Sequence, residues 1–378
     1  MRHQVPIRCV IMRGGTSKGV FLRECDLPQD PALRDRVILA LFGSPDPRQI
    51  DGLGGADILT SKVVIVGPPS RPDADLDYTF GQVSITEPYV DYDINCGNLS
   101  AAVAVYAVEE GWVRPRDPIT RVRMHNTNTR KVLVAEVPVR GGAPLVEGDC
   151  AIDGVPGTGA PILLDYAETV GATTGRLLPT GSVRNEVFVP VLGRAITVSV
   201  VDVANACVFF PAQAVGWRGT EGPGETTREV LDAVDALRRE VARRLDLPVD
   251  GLVPIPVAVA PPAVYRTLQG HPVLESENHL LVRLLGGRPL SLHKTFAGTA
   301  AVCAAVAACI PGTVPQEACR RPTGSPEVIL GHPSGTFVVQ VRVSGSVEGW
   351  QVERASYLRT ARRLMEGYAF LRPGVFAP

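Results

Sequence analysis

Aromatic residues are scarce, at 6% of the 378 positions, and histidine occurs only six times. So thin an aromatic set weakens any base-stacking platform for single-stranded nucleic acid. The six histidines are scattered without ligand spacing, and no zinc or iron site is expected. An excess of one charge is also missing. Lys plus Arg number 38 and Asp plus Glu 39, a formal net charge of −1, which argues against a nucleic-acid partner and against a polybasic membrane surface. No stretch has the length and apolarity of a transmembrane helix, and residues 1–6 carry no apolar run of a secretory signal. The eight cysteines form no C-x-x-C pair and no clustered framework, so they read as reduced thiols of a cytoplasmic protein.

What is present is 45% hydrophobic residues in a chain long enough for two domains with sizeable cores. The chain is organised around residues 93–112, D-I-N-C-G-N-L-S-A-A-V-A-V-Y-A-V-E-E-G-W. A polar turn and a cysteine lead into a helix with almost no polar face, the pattern of a helix buried on all sides. At about fourteen residues and ~21 Å it is too short to span a bilayer. Cys96 sits where this helix begins, beside Gly97 and Asn98. Unpaired N–H groups there favour a thiolate or a carboxylate. A small buried cysteine without chemistry fits the same place.

A second stretch, A-G-T-A-A-V-C-A-A-V-A-A-C-I-P-G at 297–312, repeats the first. Aligned without gaps, Gly97 falls on Gly298, Asn98 on Thr299, Ala107 on Ala308 and Gly111 on Gly312. Two such helices at equivalent places point to a duplicated domain. The halves are chemically unequal, because Ala297 stands where Cys96 would be.

Along the chain, strands at 5–11 and 20–22 flank the loop R-G-G-T-S-K-G at 13–19, whose glycines allow close approach to a ligand. It lacks the spacing of a Walker A loop, and D-G-L-G-G-A-D at 51–57 lacks the third glycine of a dinucleotide fingerprint. Asp30-Pro31 caps a helix that Gly43 ends. Lys62 stands at the mouth of a buried strand within 60–66, a place where a lysine is usually solvated. The polar segment 177–182 marks a domain boundary. Residues 225–245 form an amphipathic helix with Arg238, Arg239, Arg243 and Arg244 on its solvated flank, stopped by Pro248. The proline-interrupted run 252–260 reads as an edge strand. G-H-P-S-G at 331–335 is not a nucleophile elbow. What remains is one thiol, one strand-mouth lysine, two helix starts and several Gly/Ser/Thr loops. Such a set suits proton transfer next to a carboxylate, with N–H groups stabilising an enolate-like intermediate.

The blocks at 12–19 (M-R-G-G-T-S-K-G), 44–56, 60–63 (T-S-K-V), 95–98 (N-C-G-N), 298–302 (G-T-A-A-V), 310–314 (I-P-G-T-V) and 331–336 (G-H-P-S-G-T) resemble the PrpF family over essentially the whole chain. The resemblance implies an α/β (α+β), diaminopimelate-epimerase-like fold. Two pseudo-symmetric domains would each wrap a curled, mostly antiparallel sheet around a central helix. They are expected at 1–183, with 351–378 returning to the first, and at 184–350. It further implies a cofactor-independent isomerase, with no metal, moving a proton and a double bond in a small unsaturated di- or tricarboxylate of aconitate, methylaconitate or methylitaconate type. A keto–enol tautomerase of 4-oxalomesaconate type is the rival, and a catalytically silent carboxylate-binding protein a weaker one. The family's catalytic lysine and cysteine fall on Lys62 and Cys96. Its carboxylate-holding positions fall on Gly14, Gly15, Thr16, Ser17, Asn95, Gly97, Asn98, Gly298 and Thr299, with Ser334 and Gly335 added. With Ala297 in the second position, two-thiol racemisation of an amino acid is not expected, and Cys303, deeper in the helix, does not restore it. The implied partner is the small carboxylate alone, with neither nucleic acid nor membrane, and a homodimer is compatible with the sequence.

Overall fold

Asp30 accepts a hydrogen bond from the Leu33 N–H at 2.8 Å, and Pro31 follows it as the first helical residue. The helix so started, α1 (Pro31–Phe42), stops at Gly43, whose φ of 75° is a left-handed C-cap. The computed structural model that gives these contacts describes residues 3–93, 95–287, 289–346 and 349–377.

The first part of the chain holds β1 (Val5–Gly14), β2 (Ser17–Arg23), α1, β3 (Lys62–Gly67), β4 (Leu76–Val83), β5 (Val90–Asp91), α2 (Gly97–Glu109), β6 (Ile119–Asn126) and β7 (Lys131–Arg140). Three two-residue strands, β8 (Ala143–Pro144), β9 (Cys150–Ala151) and β10 (Thr158–Gly159), lead to β11 (Ile162–Asp165). Next come β12 (Asn185–Val189), β13 (Arg194–Val203), β14 (Asn205–Pro211), α3 (Arg228–Arg244), β15 (Ile255–Ala260), β16 (Tyr265–Arg266), β17 (Pro272–Val273), β18 (Leu280–Gly286) and β19 (Ser291–Leu292). The chain closes with α4 (Gly298–Ala307), α5 (Val314–Ala318), β20 (Glu327–His332), β21 (Gly335–Ser346), β22 (Gly349–Arg359) and β23 (Ala361–Leu371). Contacts divide these elements into two units, Met1–Leu164 with Leu358–Pro378, and Asp165–Tyr357. From the sequence the divisions are expected at 183/184 and 350/351.

In unit one the strands pair in the order β23–β1–β2–β3–β4–β6–β7. The senses are antiparallel, antiparallel, parallel, antiparallel, parallel and antiparallel. In unit two the order β12–β13–β14–β15–β18–β20–β21 gives the same senses in the same sequence. Strand β5 folds back on β4 as β19 does on β18. Helices α1 and α3 fill one connection, α2 and α4 the other. One topology is therefore used twice.

Side chains alternate across a strand, so a central strand buries both faces. Val20, Leu22, Val63 and Ile65 pack with Val37, Ile38, Leu41 and Phe42 of α1. On the opposite face Phe21 meets Tyr106 of α2, ring centroids 5.3 Å apart. Every residue of β3 is accordingly buried. In α2 all residues but Asn98 and Glu109 are buried, and in α4 all of them are. Burying one Val or Leu side chain stabilises by about 1.5–3 kcal/mol, and the alanines between let the strands close in. Helix α3 covers the other face of unit two with Ala233, Val234, Leu237 and Val241. No helix among the described residues is long and apolar enough to cross a membrane.

Two expectations are corrected. Strand β15 is not at an edge, since it lies between β14 and β18. Its Pro256 enters before the pairing with β18 begins at Val257, so the missing N–H costs no bond on that side. Arg238 is not on a solvated flank. The turn after α3 folds back over it, and its guanidinium donates to the carbonyls of Gly251 (2.7 Å) and Val249 (2.9 Å) and to Asp235. Buried carbonyls need donors, and this arginine supplies them.

Glu110 caps α2 at its C-terminal end, where a carboxylate opposes the helix dipole. Arg8 and Arg363 reach it at 3.0 and 2.9 Å, and Arg23 donates to it as well. Burial alone would push this carboxyl up; the three arginines outweigh it and bring it down to about 2. A carboxyl lowered on folding adds stability above its unfolded value, about 4.5, and that stability is lost as pH falls through about 2. Glu110→Gln should lower stability at neutral pH by about 1–3 kcal/mol, since the part-exposed Arg8 and Arg23 lose their carboxylate while Arg363 keeps Glu109 and Glu366. It should also flatten the fall in stability between pH 4.5 and 2. Urea midpoints of both proteins across that range test this; parallel pH curves would exclude the clamp.

Candidate active site

Val20 pairs with Val63 across the parallel β2–β3 ladder, which sets Gly19 against Lys62. Lys62 in turn lies opposite Gln82 on β4. Partners in register share a sheet face, so Ser17, Lys62, Tyr78, Phe80 and Gln82 all stand on the face covered by α2. Lys62 is only 7% exposed. Its Nζ donates to Gln82 Oε1 at 2.6 Å and lies 5.1 Å from the centroid of the Phe80 ring.

Cys96 is the N-cap of α2, and its side chain makes no capping bond. Its Sγ lies 3.8 Å from Ser17 Oγ. Its N–H donates to Asn95 Oδ1 at 2.8 Å, and its carbonyl accepts from Ser100 Oγ at 3.1 Å. Asn95 Oδ1 also accepts from Tyr78 Oη and Asn126 Nδ2, each at 3.4 Å. The backbone of Cys96 is thus tied down on both sides while the thiol points to Ser17. The N–H groups of Gly97, Asn98 and Leu99 have no partner inside the helix, as in any first turn, and favour negative charge in front of them.

The glycine loop closes against the same turn. A Cβ on Gly14 would lie 2.3 Å from the Asn98 carbonyl oxygen, and one on Gly15 would lie 2.1 Å from Asn98 Oδ1. Gly15 also holds a φ of +48°. Asn98 bridges the loop and the end of β22: its Nδ2 donates to Thr16 Oγ1 and its Oδ1 accepts from Arg359 Nε, both at 3.0 Å. Arg13 donates to the carbonyls of Gly15 and Thr360, and burial pushes its pKa below the ordinary arginine value, with Arg362 adding to the effect.

Unit one therefore brings together Gly14, Gly15, Thr16, Ser17, Asn95, Cys96, Gly97 and Asn98, and sets Lys62 on the same sheet face as Ser17. The remaining positions lie in unit two. Gly298 opens α4 directly beneath Tyr357 Oη, with no room for a Cβ. Thr299 is buried, its hydroxyl accepting from Asn205 Nδ2 at 2.9 Å. Ser334 Oγ donates to the Lys294 carbonyl just ahead of α4, and the Gly335 carbonyl accepts from Tyr265 Oη. Cys303 is buried and donates to the Val201 carbonyl. None of the eight cysteines is in a disulfide. Among the described residues no group of three or more His, Cys, Asp and Glu side chains is arranged to hold a metal ion.

Gln82, Tyr78, Asn126 and Arg359 are missing from the sequence-derived site. The alternation Tyr78, Phe80, Gln82 announces a face but not what it faces. The polar cluster H-N-T-N-T at 125–129, ending a strand, is the one visible signal.

A family model described as PrpF protein matches residues 4–372. The chain belongs to the PrpF family. It is 46% identical over 385 residues to 3-methylitaconate isomerase of Eubacterium barkeri, covering 98% of each chain. It is 37% identical over 370 residues to 4-oxalomesaconate tautomerase of Pseudomonas putida, covering 96% of each. Among solved structures, a methylitaconate-delta-isomerase matches with a TM-score of 0.87 at 44% identity, over 100% of this chain and 98% of that one. A hydroxyproline epimerase from Agrobacterium vitis shares the fold at a TM-score of 0.58 and 13% identity, over 98% of this chain and 94% of that one. This PrpF protein is thus an enzyme of the isomerase class with an epimerase-type fold.

The two glycines separate by double substitution. Gly14→Ala meets a backbone oxygen and should cost about 1–3 kcal/mol by overpacking, undiminished when Asn98→Ala is added. Gly15→Ala meets a side-chain oxygen, so Asn98→Ala should restore part of its loss and leave the cost of the positive φ. Unfolding midpoints of the three single and two double variants decide; equal couplings would mean that loop and helix are not in contact as described.

Proposed function

We propose that this PrpF protein moves a proton, and with it a double bond, in a small unsaturated di- or tricarboxylate of methylitaconate, methylaconitate or aconitate type. Lys62 and Cys96 are the proton carriers. The observation that carries the reading is the placement of both on the α2 face of one sheet, the thiol standing before the open N–H groups of the helix. The relative acting on 3-methylitaconate supports the substrate class. One carrier removes a proton from the carbon next to the double bond. The electron pair spreads into an adjoining carboxylate as an enolate-type dianion, which N–H donors stabilise more than the starting acid. The other carrier returns a proton at the far end of the allylic system, so the double bond shifts and no electrons leave the substrate.

The substrate carboxylates are assigned to Gly14, Gly15, Thr16, Ser17, Asn95, Gly97 and Asn98. Gly298, Thr299, Ser334 and Gly335 are further proposed binding residues. No cofactor or metal enters this scheme, the eight unpaired thiols fit a cytoplasmic protein, and a homodimer is its proposed assembly. Tautomerisation of a 4-oxalomesaconate-type acid is the second reading, favoured by the relative of that name. It uses the same grips and carriers.

Incubation of a panel of unsaturated and oxo-substituted acids in heavy water, followed by proton NMR, should reveal one acid that exchanges and isomerises. Lys62→Met and Cys96→Ala should each lower that turnover by about 10²–10⁴-fold with melting temperatures little changed. A variant with near-normal turnover would remove its residue from the mechanism. Iodoacetamide should inactivate the enzyme through Cys96, more slowly in the presence of the substrate acid. Complete alkylation of Cys96, located by mass spectrometry, with activity intact would defeat the thiol mechanism.

A further inference from the structure

Only four of the 38 basic residues are lysines, at 18, 62, 131 and 294. Lys62 alone among them is buried. A guanidinium stays charged at any physiological pH, whereas an ammonium can give up its proton. A chain that otherwise builds its cations from arginine keeps a lysine at this place.

The surroundings of that ammonium are neutral. Among the described residues no carboxylate forms an ion pair with Lys62. Two carboxylates are near in the fold, and both are engaged elsewhere. Asp91, in register with Gln82 on β5, accepts the Asp93 N–H at 2.8 Å. Asp57, in the turn before β3, accepts the Leu59 N–H at 2.7 Å. On the β2 side Lys18 belongs to the opposite sheet face; on this one the titratable groups are the Cys96 thiol at the start of α2, the Tyr106 phenol packed on Phe21, and the Tyr78 phenol bonded to Ser100, and none of them is a carboxylate. The polar partner of Lys62 is Gln82. Both hydrogens of its amide are taken, by the Ser61 carbonyl at 2.8 Å and the Ile58 carbonyl at 3.1 Å. The amide therefore cannot turn over, and its oxygen is held toward Nζ at 2.6 Å. Ser61 is itself fixed by Gln49, a buried side chain that donates to Ser61 Oγ at 2.8 Å and accepts the Ala56 N–H.

We propose that Gln82 is the positioning residue of Lys62: it aims the ammonium and tunes its proton affinity through one neutral acceptor, anchored to the 58–61 turn. This deepens the reading of Lys62 as a proton carrier and rests on it. A carboxylate in that place would hold the proton on lysine and repel an anionic substrate. An apolar side chain would leave burial unopposed. A neutral amide keeps the lysine aimed and able to exchange its proton.

The test uses the full-length enzyme labelled with [13C]lysine, as wild type, Gln82→Glu and Gln82→Met. The four lysine Cε signals are followed through a pH titration, that of Lys62 assigned by its loss in Lys62→Met. The Lys62 midpoint should rise by about one unit or more in Gln82→Glu, where an anion now faces it, and fall in Gln82→Met. The Lys-linked limb of the kcat/KM profile should move in the same directions, and KM should rise in Gln82→Glu. A merely structural glutamine would lower activity in both variants without opposite shifts. Unmoved midpoints in folded variants, with Lys62→Met inactive, would overturn the role of Gln82 alone. Near-normal turnover by Lys62→Met would instead overturn the reading on which it rests, and the catalytic meaning of Gln82 with it.

Discussion

The end of β1 and the first turn of α2 touch without room for a methyl group between them. Gly14 faces the Asn98 carbonyl oxygen and Gly15 its side-chain oxygen, each closer than any Cβ could sit. That contact fixes where α2 begins, and therefore where Cys96 stands relative to Ser17 and the glycine loop. The opposite end of the helix is held by the arginines around Glu110, which bind it to β1, β2 and β23. Between these two anchors an almost wholly apolar helix is clamped by burial alone, which has no direction of its own. Polar contacts at the ends supply the register that hydrophobic packing leaves open.

The proposed proton carriers are joined by the same economy. Lys62 and Ser17 are set by the β2–β3 pairing and Cys96 by the packing of α2, all inside one unit. The second unit repeats the strand order and both helices but opens β15 on Ile255-Pro256 and caps α4 with Ala297. It keeps the open helix start and has neither an amine nor a thiol at the corresponding places. Duplication thus preserved the scaffold, while both proposed proton carriers lie in one copy. A buried thiol remains in unit two at Cys303, but its hydrogen bond to a strand carbonyl makes it part of the core.

Much of this arrangement was legible in the sequence because it rests on local signals. A helix without a polar face, glycines at its approach and a capping Asp-Pro announce themselves within a few residues. So did the repeat, since Gly298 and Thr299 fall on Gly97 and Asn98. What escaped depends on contacts distant in the chain. Arg238 looks like one more arginine on a wet face until the turn carrying Val249 and Gly251 closes over it. Pro256 suggests an edge strand, because a proline cannot donate, yet its position ahead of the β18 pairing lets β15 sit inside the sheet. Gln82 is invisible for the same reason: nothing in its neighbourhood along the chain marks it as the partner of a lysine twenty positions earlier.

The distinction between apolar scaffold and polar register also bears on how such a fold can change its reaction. The apolar faces of β2, β3 and α2 tolerate little, since each is buried on both sides and interior volume is conserved. The groups that hold Cys96 and Lys62 are different in kind. Asn95, Asn98 and Gln82 are neutral amides, each placed to accept from a donor it orients, and Asn126 is a fourth that donates to Asn95. Exchanging one neutral acceptor for a charged or an apolar one alters proton affinity and aim by local electrostatics while leaving the packing nearly as it was. A site built this way can be retuned from one unsaturated acid to another, or from allylic shift to tautomerisation, without rebuilding the helix that carries its thiol. Relatives of both kinds stand at 46% and 37% identity over nearly the full chain. Such a spread is what a fixed core with an adjustable amide shell would permit.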